Sequence, residues 1–512
     1  MYIIDCLYGK IEFEKKEYRC MISPEMQRLR EVRLGNINSL CLTGSSNNNR
    51  YEHSVGTAFL AKVNIEANKK TFPSEYKEAF VLAALFHDLG NGPFGHSYEY
   101  LVQRNGFVPE TSIAEVIFGS TTGAHAKSVK CEPFYLGLQN ELSSILSRKE
   151  VMAIDKIVKG ENPFCSKLLS SVIDIDNIDN VYRMAFHMGL PVDKKAPLEL
   201  AKGLVCLDNS IFFRKSAIPY LYDWYETRSK LYELLLYNPQ DFAAKCMLEE
   251  LMETVLKREN GLIKWQFTDS QLLEVFLKKK EEYWEDDALV PISLEGSLSE
   301  EDFSSEDRIR GSLKKLGIEV PEKASICIEK EQNITRFSYY SVEFEFRNGN
   351  LFKKAKRIVA NPSKLAARLM RGDLYACIGI FVSPDVDRYD IFADHSKKEE
   401  FETKCNYYLE NRLKDKKYAV CFHGIIDKNK TNRQLEIKLE TGELFDIGKN
   451  TNNLLIGYFV KNDNCGLSHG DISSKKREEL DGLIRKFLEL EGFRGEKHTL
   501  YSEVSVFERR NN

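Results

Sequence analysis

The sequence predicts a mainly helical protein: a large all-helical part over residues 1–285, an acidic, serine-rich linker over 286–325, and a smaller α+β part over 326–512. Three observations carry this. From about residue 24 to 285 apolar residues recur at three- and four-residue steps, the period of an amphipathic helix. After about Lys323 the segments become short, β-branched or aromatic, and often alternating, which suits strands. Between these regions, Glu285–Arg310 is rich in Asp, Glu and Ser and reads as a mobile loop or boundary.

Residues 1–20 alternate apolar and polar in two short pieces around Gly9, the pattern of a small hairpin. Ser74 is placed to cap a helix running through Ala79, Leu82, Ala83 and Phe86 to Gly90. A second helix is expected from about Ser166 to Met188, with Ile175, Ile178, Tyr182 and Ala185 on one face; Asp176, Asn180 and Arg183 then share its polar face. Two more helices fill 216–258. In the last third, SICIEKE, SYYSVEFEF, YACIGIFVS, YAVCFHGII, RQLEIKLE and NLLIGYFV suggest one sheet of about five strands, interrupted by a helix near Pro362–Met370. Leu480, Leu483, Ile484 and Phe487 form the apolar stripe of a closing helix, Ser474–Leu490.

Bulk composition narrows the function classes. With 512 residues, 43% hydrophobic and 29% charged, the chain has globular composition and is long enough for two or three folding units. A net charge of −4 argues against a dedicated nucleic-acid coat, while leaving a local basic patch open; the strongest is Lys353, Lys354, Lys356, Arg357, Lys364, Arg368 and Arg371, whose plain reading is a solvated face. Twelve cysteines without a CxxC pair argue against a thiolate zinc knuckle and for free thiols in a reducing cytoplasm. Neither a signal peptide nor a membrane-spanning run is expected.

Three segments carry candidate chemistry: Arg50–Gly56 (RYEHSVG), His87–His96 (HDLGNGPFGH) and Asp174–Asn180 (DIDNIDN). A metal held by imidazole nitrogen and carboxylate oxygen needs about three or four such side chains converging. His87 and Asp88 stand at the end of an apolar helix before a glycine-rich turn, His53 lies at a helix start, and Asp176 projects from another helix. A single His or Asp near a helix end is usually a cap, but the order His, His-Asp, Asp is a constellation. Two His and two Asp leave coordination positions open on Mn, Fe, Mg or Ni, which is what a catalytic metal needs.

With these motifs the chain resembles the HD-domain deoxynucleoside triphosphate (dNTP) triphosphohydrolases, including the SAM-and-HD-domain enzymes and bacterial dGTPase-like proteins. The resemblance runs from Asp5-x-x-Tyr8-Gly9-x-Ile11 through Met26-Gln27-Arg28-Leu29-Arg30, Arg33-Leu34-Gly35, the segments above, FRKSAIP and RSKLYELLLY to Phe267-Thr268-Asp269, about residues 1–285. It implies an HD-type helical phosphohydrolase domain. It places His53, His87, Asp88 and Asp176 on the metal ligands, Arg50 on a phosphate contact, and His96, Glu99 and Glu110 on catalytic-pocket positions. Asn91, Asn177 and Asn180 fall on substrate-pocket positions. It further implies a divalent metal (Mn, Mg, Fe, Ni or Zn), a nucleotide substrate, a nucleotide effector and a homo-oligomer.

The pocket departs from the family pattern. Asn91 stands where His is common, and Pro109 replaces the His partner of Glu110. Asn177 replaces a phosphate-binding Lys, Asn180 a sugar-stacking Tyr, Arg33 a base-side Gln and Met184 an Asp. Losing an imidazole removes a proton donor poised near neutral pH, and losing a Lys removes a counter-charge for phosphate. His96 and His125 are candidate replacement acids; His125 reads more simply as a surface residue, and His187 as a packing or polar-face histidine. Three readings follow: a dNTP triphosphohydrolase, an HD phosphohydrolase or phosphodiesterase on another nucleotide, and a catalytically weak nucleotide-binding sensor.

Overall fold

Alternation in the first twelve residues does produce a hairpin. Tyr2–Asp5 pairs antiparallel with Gly9–Glu12 in the computed structural model. That structure describes residues 1–35, 37, 47–95, 97–99, 113–118, 140–207, 210–258, 265–279, 284–293, 298–331, 334–340, 342–359, 362–413, 418–431, 433–461 and 472–498. Among these residues no helix is long and apolar enough to cross a membrane.

The protein is mainly helical. The helices Arg50–Ala67, Lys77–Phe86 and Ile175–His187 pack around one core that holds Val55, Ala58, Leu82, Leu85, Ile178 and Tyr182. Each begins or ends where local chemistry dictates. Asn49 caps the first, its side chain accepting from the Glu52 amide. Lys77–Phe86 is preceded by a 3-10 turn, Ser74–Tyr76, and its cap residue is Tyr76, so the cap expected at Ser74 is displaced. The single helix expected from Ser166 to Met188 is broken: Ser166–Leu169 is a short turn of helix, and Asp174 starts the second piece by accepting from the Asn177 amide at 2.7 Å. An Asp three residues before an amide competes for the backbone, and here the cap wins over continuity.

Helices Ile218–Leu236 and Pro239–Arg258 follow as expected. The acidic, serine-rich stretch is not a loop. It contains strand Trp284–Ser293 and, farther on, helix Glu306–Lys315. The segments expected in a single sheet fall in three, one of them the two-stranded hairpin Leu435–Lys438 with Leu444–Ile447. A second is antiparallel with five strands, in the order Trp284–Ser293, Asn350–Val359, Val342–Arg347, Ile334–Tyr339, Cys327–Glu331. The third has four, in the order Ala419–Ile426, Leu454–Lys461, Ala376–Ser383, Glu496–Lys497. Helix His395–Glu410, whose apolar residues show no clear stripe in sequence, was not expected; helices Pro362–Arg371 and Ser474–Leu490 were.

The cores cross residue 285 freely. Phe242, Met247 and Leu251 of Pro239–Arg258 share a core with Leu365, Leu369, Ile380 and Phe459. The hairpin Leu435–Lys438 with Leu444–Ile447 sends Leu435, Ile437 and Ile447 back into the first helical core. The basic cluster is partly neutralised: Lys354 pairs with Glu343, and the buried Arg368 pairs with Asp373.

Candidate metal centre

His53 sits in the first turn of Arg50–Ala67, His87 just past the end of Lys77–Phe86, and Asp176 in the first turn of Ile175–His187. Their ligand atoms meet. His53 Nε2 lies 2.9 Å from Asp176 Oδ1 and 3.1 Å from His87 Nε2, and His87 Nε2 lies 3.5 Å from Asp176 Oδ1. Each ring has its other nitrogen engaged: His53 Nδ1 is 2.7 Å from Asp179 Oδ1, and His87 Nδ1 is 2.8 Å from the Ala84 carbonyl. Those contacts fix the tautomers, leaving both Nε2 lone pairs aimed at one point beside a carboxylate. Three electron-pair donors facing one another repel unless a cation or proton lies between them. An octahedral cation with bonds of ~2.1 Å sets adjacent ligands ~3.0 Å apart, which these spacings match. The residues present therefore fit a divalent metal.

Asp88, the fourth residue expected here, stands at the edge. Its Oδ2 is 3.7 Å from His87 Nε2 and 2.8 Å from Arg50 Nη1, and that oxygen accepts no hydrogen bond among the described residues. Burial opposes its ionisation, but Arg50 and the histidines hold its carboxyl at about 2. Burial likewise opposes protonation of His53, yet Asp176 and Asp179 outweigh it and raise the imidazole to about 10. His87 is raised too, against its burial, by Asp88 and Asp176. The surroundings thus favour positive charge at the meeting point of the three side chains.

A second set of buried charges holds this set in place. Arg183, fully buried, donates to Asp179 through Nε at 2.8 Å and Nη2 at 2.9 Å, and through Nη1 to Asp5 at 3.0 Å and Glu52 at 2.9 Å. Tyr8 adds its hydroxyl to Asp179 at 2.7 Å. The polar face on which helical spacing places Arg183 is therefore buried, covered by the hairpin and the His53 helix. Sequence reading missed Asp179 and Glu52 as supports. The available signal was their spacing: Asp179 lies one turn beyond Asp176, and Glu52 precedes His53.

Gly56 makes this packing possible. A Cβ there would lie 2.1 Å from both Arg183 Nη2 and Asp179 Oδ2. Gly56→Ala, which in an open helix gains roughly 1 kcal/mol of propensity, should here lower the melting temperature and the metal content together. Calorimetry alongside metal analysis checks this; an unchanged or raised melting temperature contradicts the packing.

Of the pocket residues, Asn91 Nδ2 donates to Asp88 Oδ1 at 2.6 Å, and Asn177 Nδ2 donates to Asp174 at 3.0 and 3.1 Å. Burial first, then Asp176, pushes the Asp174 carboxyl up to about 7. Both amides thus face the protein. Asn180 differs: its Oδ1 is buried and has no hydrogen-bond partner among the described residues. Arg33 is drawn to Asp269, its Nη1 at 3.4 Å and its amide at 3.0 Å. Asp269 also accepts from the Phe94 amide at 2.7 Å, and buried Arg28 donates to the carbonyls of Leu89, Asn91 and Phe267. These bonds brace the loop after His87-Asp88, and they explain why MQRLR and FTD accompany it. Glu99 lies on the helical turn after this loop; His96, Glu110 and His125 lie outside the described residues.

A further group was not foreseen. Tyr232 lies near enough to Asp176 that the carboxylate, after burial, helps to raise its phenol. Arg228 and Lys430 stand over its ring at 4.8 and 5.3 Å. Lys430 comes from a loop of the last third of the chain, tied down where Ser229 donates to the Thr431 carbonyl at 2.7 Å. No sequence proximity signals that approach.

Several known proteins resemble this chain in part. The HD domain family model matches residues 50–130. An uncharacterised protein of Mycoplasma genitalium, MG461, is 24% identical over 54% of this chain and 69% of its own length. Deoxynucleoside triphosphate triphosphohydrolase SAMHD1 of Bos taurus is 27% identical over 45% of this chain and 43% of its own length. The SAMHD1 homologue of Dictyostelium discoideum is 24% identical over 46% of this chain and 45% of its own length. The chain thus spans less than half of either triphosphohydrolase. A crystal structure of a hypothetical protein from Aquifex aeolicus matches 94% of this chain and 99% of that one, with a TM-score of 0.53 and 15% identity, a likeness of fold.

Proposed function

From a chain that carries an HD domain and resembles the SAMHD1-type triphosphohydrolases, we propose a metal-dependent nucleotide phosphohydrolase that cleaves a dNTP to deoxynucleoside and triphosphate. The observation that carries this reading is the meeting of His53 Nε2, His87 Nε2 and Asp176 Oδ1 within 2.9–3.5 Å, with both Nδ1 atoms engaged elsewhere.

In this reading His53, His87, Asp88 and Asp176 hold a divalent cation, one of Mn, Mg, Fe, Ni or Zn. When bound, that cation supplies Lewis acidity toward a phosphate oxygen. Arg50 offsets charge that develops on phosphate, and its proximity to Asp88 keeps it aimed there. Arg228 and Lys430, around Tyr232, offer two more cations for the remaining phosphates. Asn180 presents its unmatched Oδ1 to a donor on the sugar or base. Asn91 positions Asp88 rather than touching substrate, and Asn177 stabilises the cap at Asp174. Water attacks the α-phosphorus and the bond to the 5′ oxygen breaks. Glu99, with His96 and Glu110, carries the proton to the departing nucleoside. A homo-oligomer, a nucleotide effector and a cytoplasmic location belong to the same reading.

A second reading keeps the cation and changes the nucleotide. It is favoured by Asn177 turning toward Asp174 where a phosphate-binding lysine would otherwise reach out. The test is incubation of the purified protein with Mn²⁺ or Mg²⁺ and each dNTP, singly and mixed, with products resolved by ion exchange. Nucleoside plus triphosphate supports the first reading. Monophosphate or diphosphate products support the second. No turnover of any dNTP removes the first.

A further inference from the structure

Away from the three-residue centre, a second group of ligand atoms converges from three different elements. Cys6 lies in the turn of the N-terminal hairpin, Glu52 in the first turn of Arg50–Ala67, and His187 at the last position of Ile175–His187. The Cys6 thiol donates to Glu52 Oε1 at 2.7 Å and lies 3.5 Å from His187 Nε2, which is 3.1 Å from the Glu52 carboxylate. Neither the sequence pattern nor the proposed hydrolysis uses these residues as a set.

We propose that Cys6, Glu52 and His187 form a second metal site, suited to zinc. Thiolate, imidazole and carboxylate together are zinc donors, and a sulfur ligand distinguishes this set from the nitrogen and oxygen donors of the first centre. Tetrahedral bonds of ~2.3 Å to sulfur and ~2.0 Å to nitrogen or oxygen put ligand atoms ~3.3–3.5 Å apart. The sulfur–nitrogen and nitrogen–oxygen separations already match; the sulfur–oxygen pair opens when the S–H···O hydrogen bond is exchanged for two bonds to the ion. Three residues leave a fourth position for water.

The surroundings suit the ion. Cys6 is exposed, and the side chains of Glu52 and His187 keep 23% and 22% of their surface, so an ion reaches the site without unfolding. Arg183 is the competing cation, but its Nη1 engages Glu52 Oε1, while Oε2 lies 3.1 Å from His187 Nε2. Oε1 also accepts from the Cys6 thiol and lies 3.1 Å from His187 Nε2, so both carboxylate oxygens border the set, and an ion held through Oε2 leaves Arg183 its bond to Oε1. Three carboxylates, of Asp5, Asp179 and Glu52, surround that one guanidinium, so negative charge is in excess. Within the hairpin, Asp5 Oδ1 accepts from the amides of Leu7 and Tyr8 at 2.8 and 2.9 Å, which fixes the turn that presents Cys6. An ion here staples the hairpin to Arg50–Ala67 and Ile175–His187, two of the three helices that carry the first centre.

Cobalt titration of the full-length metal-free protein tests this, because cobalt bound to thiolate shows a near-ultraviolet charge-transfer band that nitrogen and oxygen ligands do not give. The expected result is a band saturating at one equivalent, lost in Cys6→Ser and in His187→Gln, and kept in Asp176→Ala. Zinc should raise the melting temperature of the wild-type protein and leave that of Cys6→Ser unmoved. Absence of the band from the wild type, its survival in Cys6→Ser, or its loss in Asp176→Ala overturns the proposal.

Discussion

His87→Ala and Asp176→Ala should each release the bound metal and reduce nucleotide turnover to background. Each removes one of three donor atoms that lie within 3.5 Å of one another, leaving two of them with Asp88 at the edge, too few to retain the cation through dialysis. Elemental analysis of dialysed protein, paired with a product assay, reads both consequences. Turnover retained by a metal-free variant would sink the mechanism. The same centre predicts a pH dependence of metal affinity. Without metal, the paired carboxylates hold His53 protonated up to about 10 and raise His87 as well, so metal must displace protons. Apparent affinity should therefore climb with pH through the neutral range, by about tenfold per pH unit for each proton displaced.

The largest stability effect is expected at Arg183. Arg183→Met fills similar space but leaves Asp5, Asp179 and Glu52 facing one another without their shared cation. Removing one partner of a buried ion pair costs about 3–5 kcal/mol, because the orphaned charge stays desolvated. The loss should shrink on acidification. Burial opposes ionisation of Asp179 and Glu52, but Arg183 and hydrogen bonds hold both near 2 in the wild type, below the unfolded value of ~4. Folded-state values so depressed add stability that is complete above pH ~4 and fades as the pH falls toward 2. In Arg183→Met the part of that depression owed to Arg183 is gone, His187 at Glu52 and His53 at Asp179 keeping the rest, and protonation relieves the repulsion, so the two proteins should converge in acid. Denaturant melts at neutral pH and near pH 3 check both points; an equal difference at the two pH values refutes the charge argument.

Much was legible before any coordinates. Helical period located many of the helices, and the order His53, His87-Asp88, Asp176 contained the three residues whose ligand atoms the fold brings together, with Asp88 at the edge, because a helix end followed by glycine is local information. The closing helix Ser474–Leu490 was readable for the same reason: its apolar stripe is periodic. Where reading failed, a competing local bond or a distant partner decided. Asp174 broke a helix by capping it, and the acidic stretch near 285 became a strand because Asn350–Val359 was there to pair with it.

By itself the sequence determined the helical framework, the candidate ligands and the departures at Asn91, Asn177 and Asn180, since each rests on residue type and on spacing within a few turns. Only the tertiary structure decided what those residues face. It turned two of the three asparagines toward protein carboxylates, buried Arg183 among charges from three elements, and carried Lys430 to Tyr232 across almost two hundred positions of chain. Such contacts depend on where separate elements pack, and packing is set by the summed burial of whole helix faces, which no short window of sequence contains.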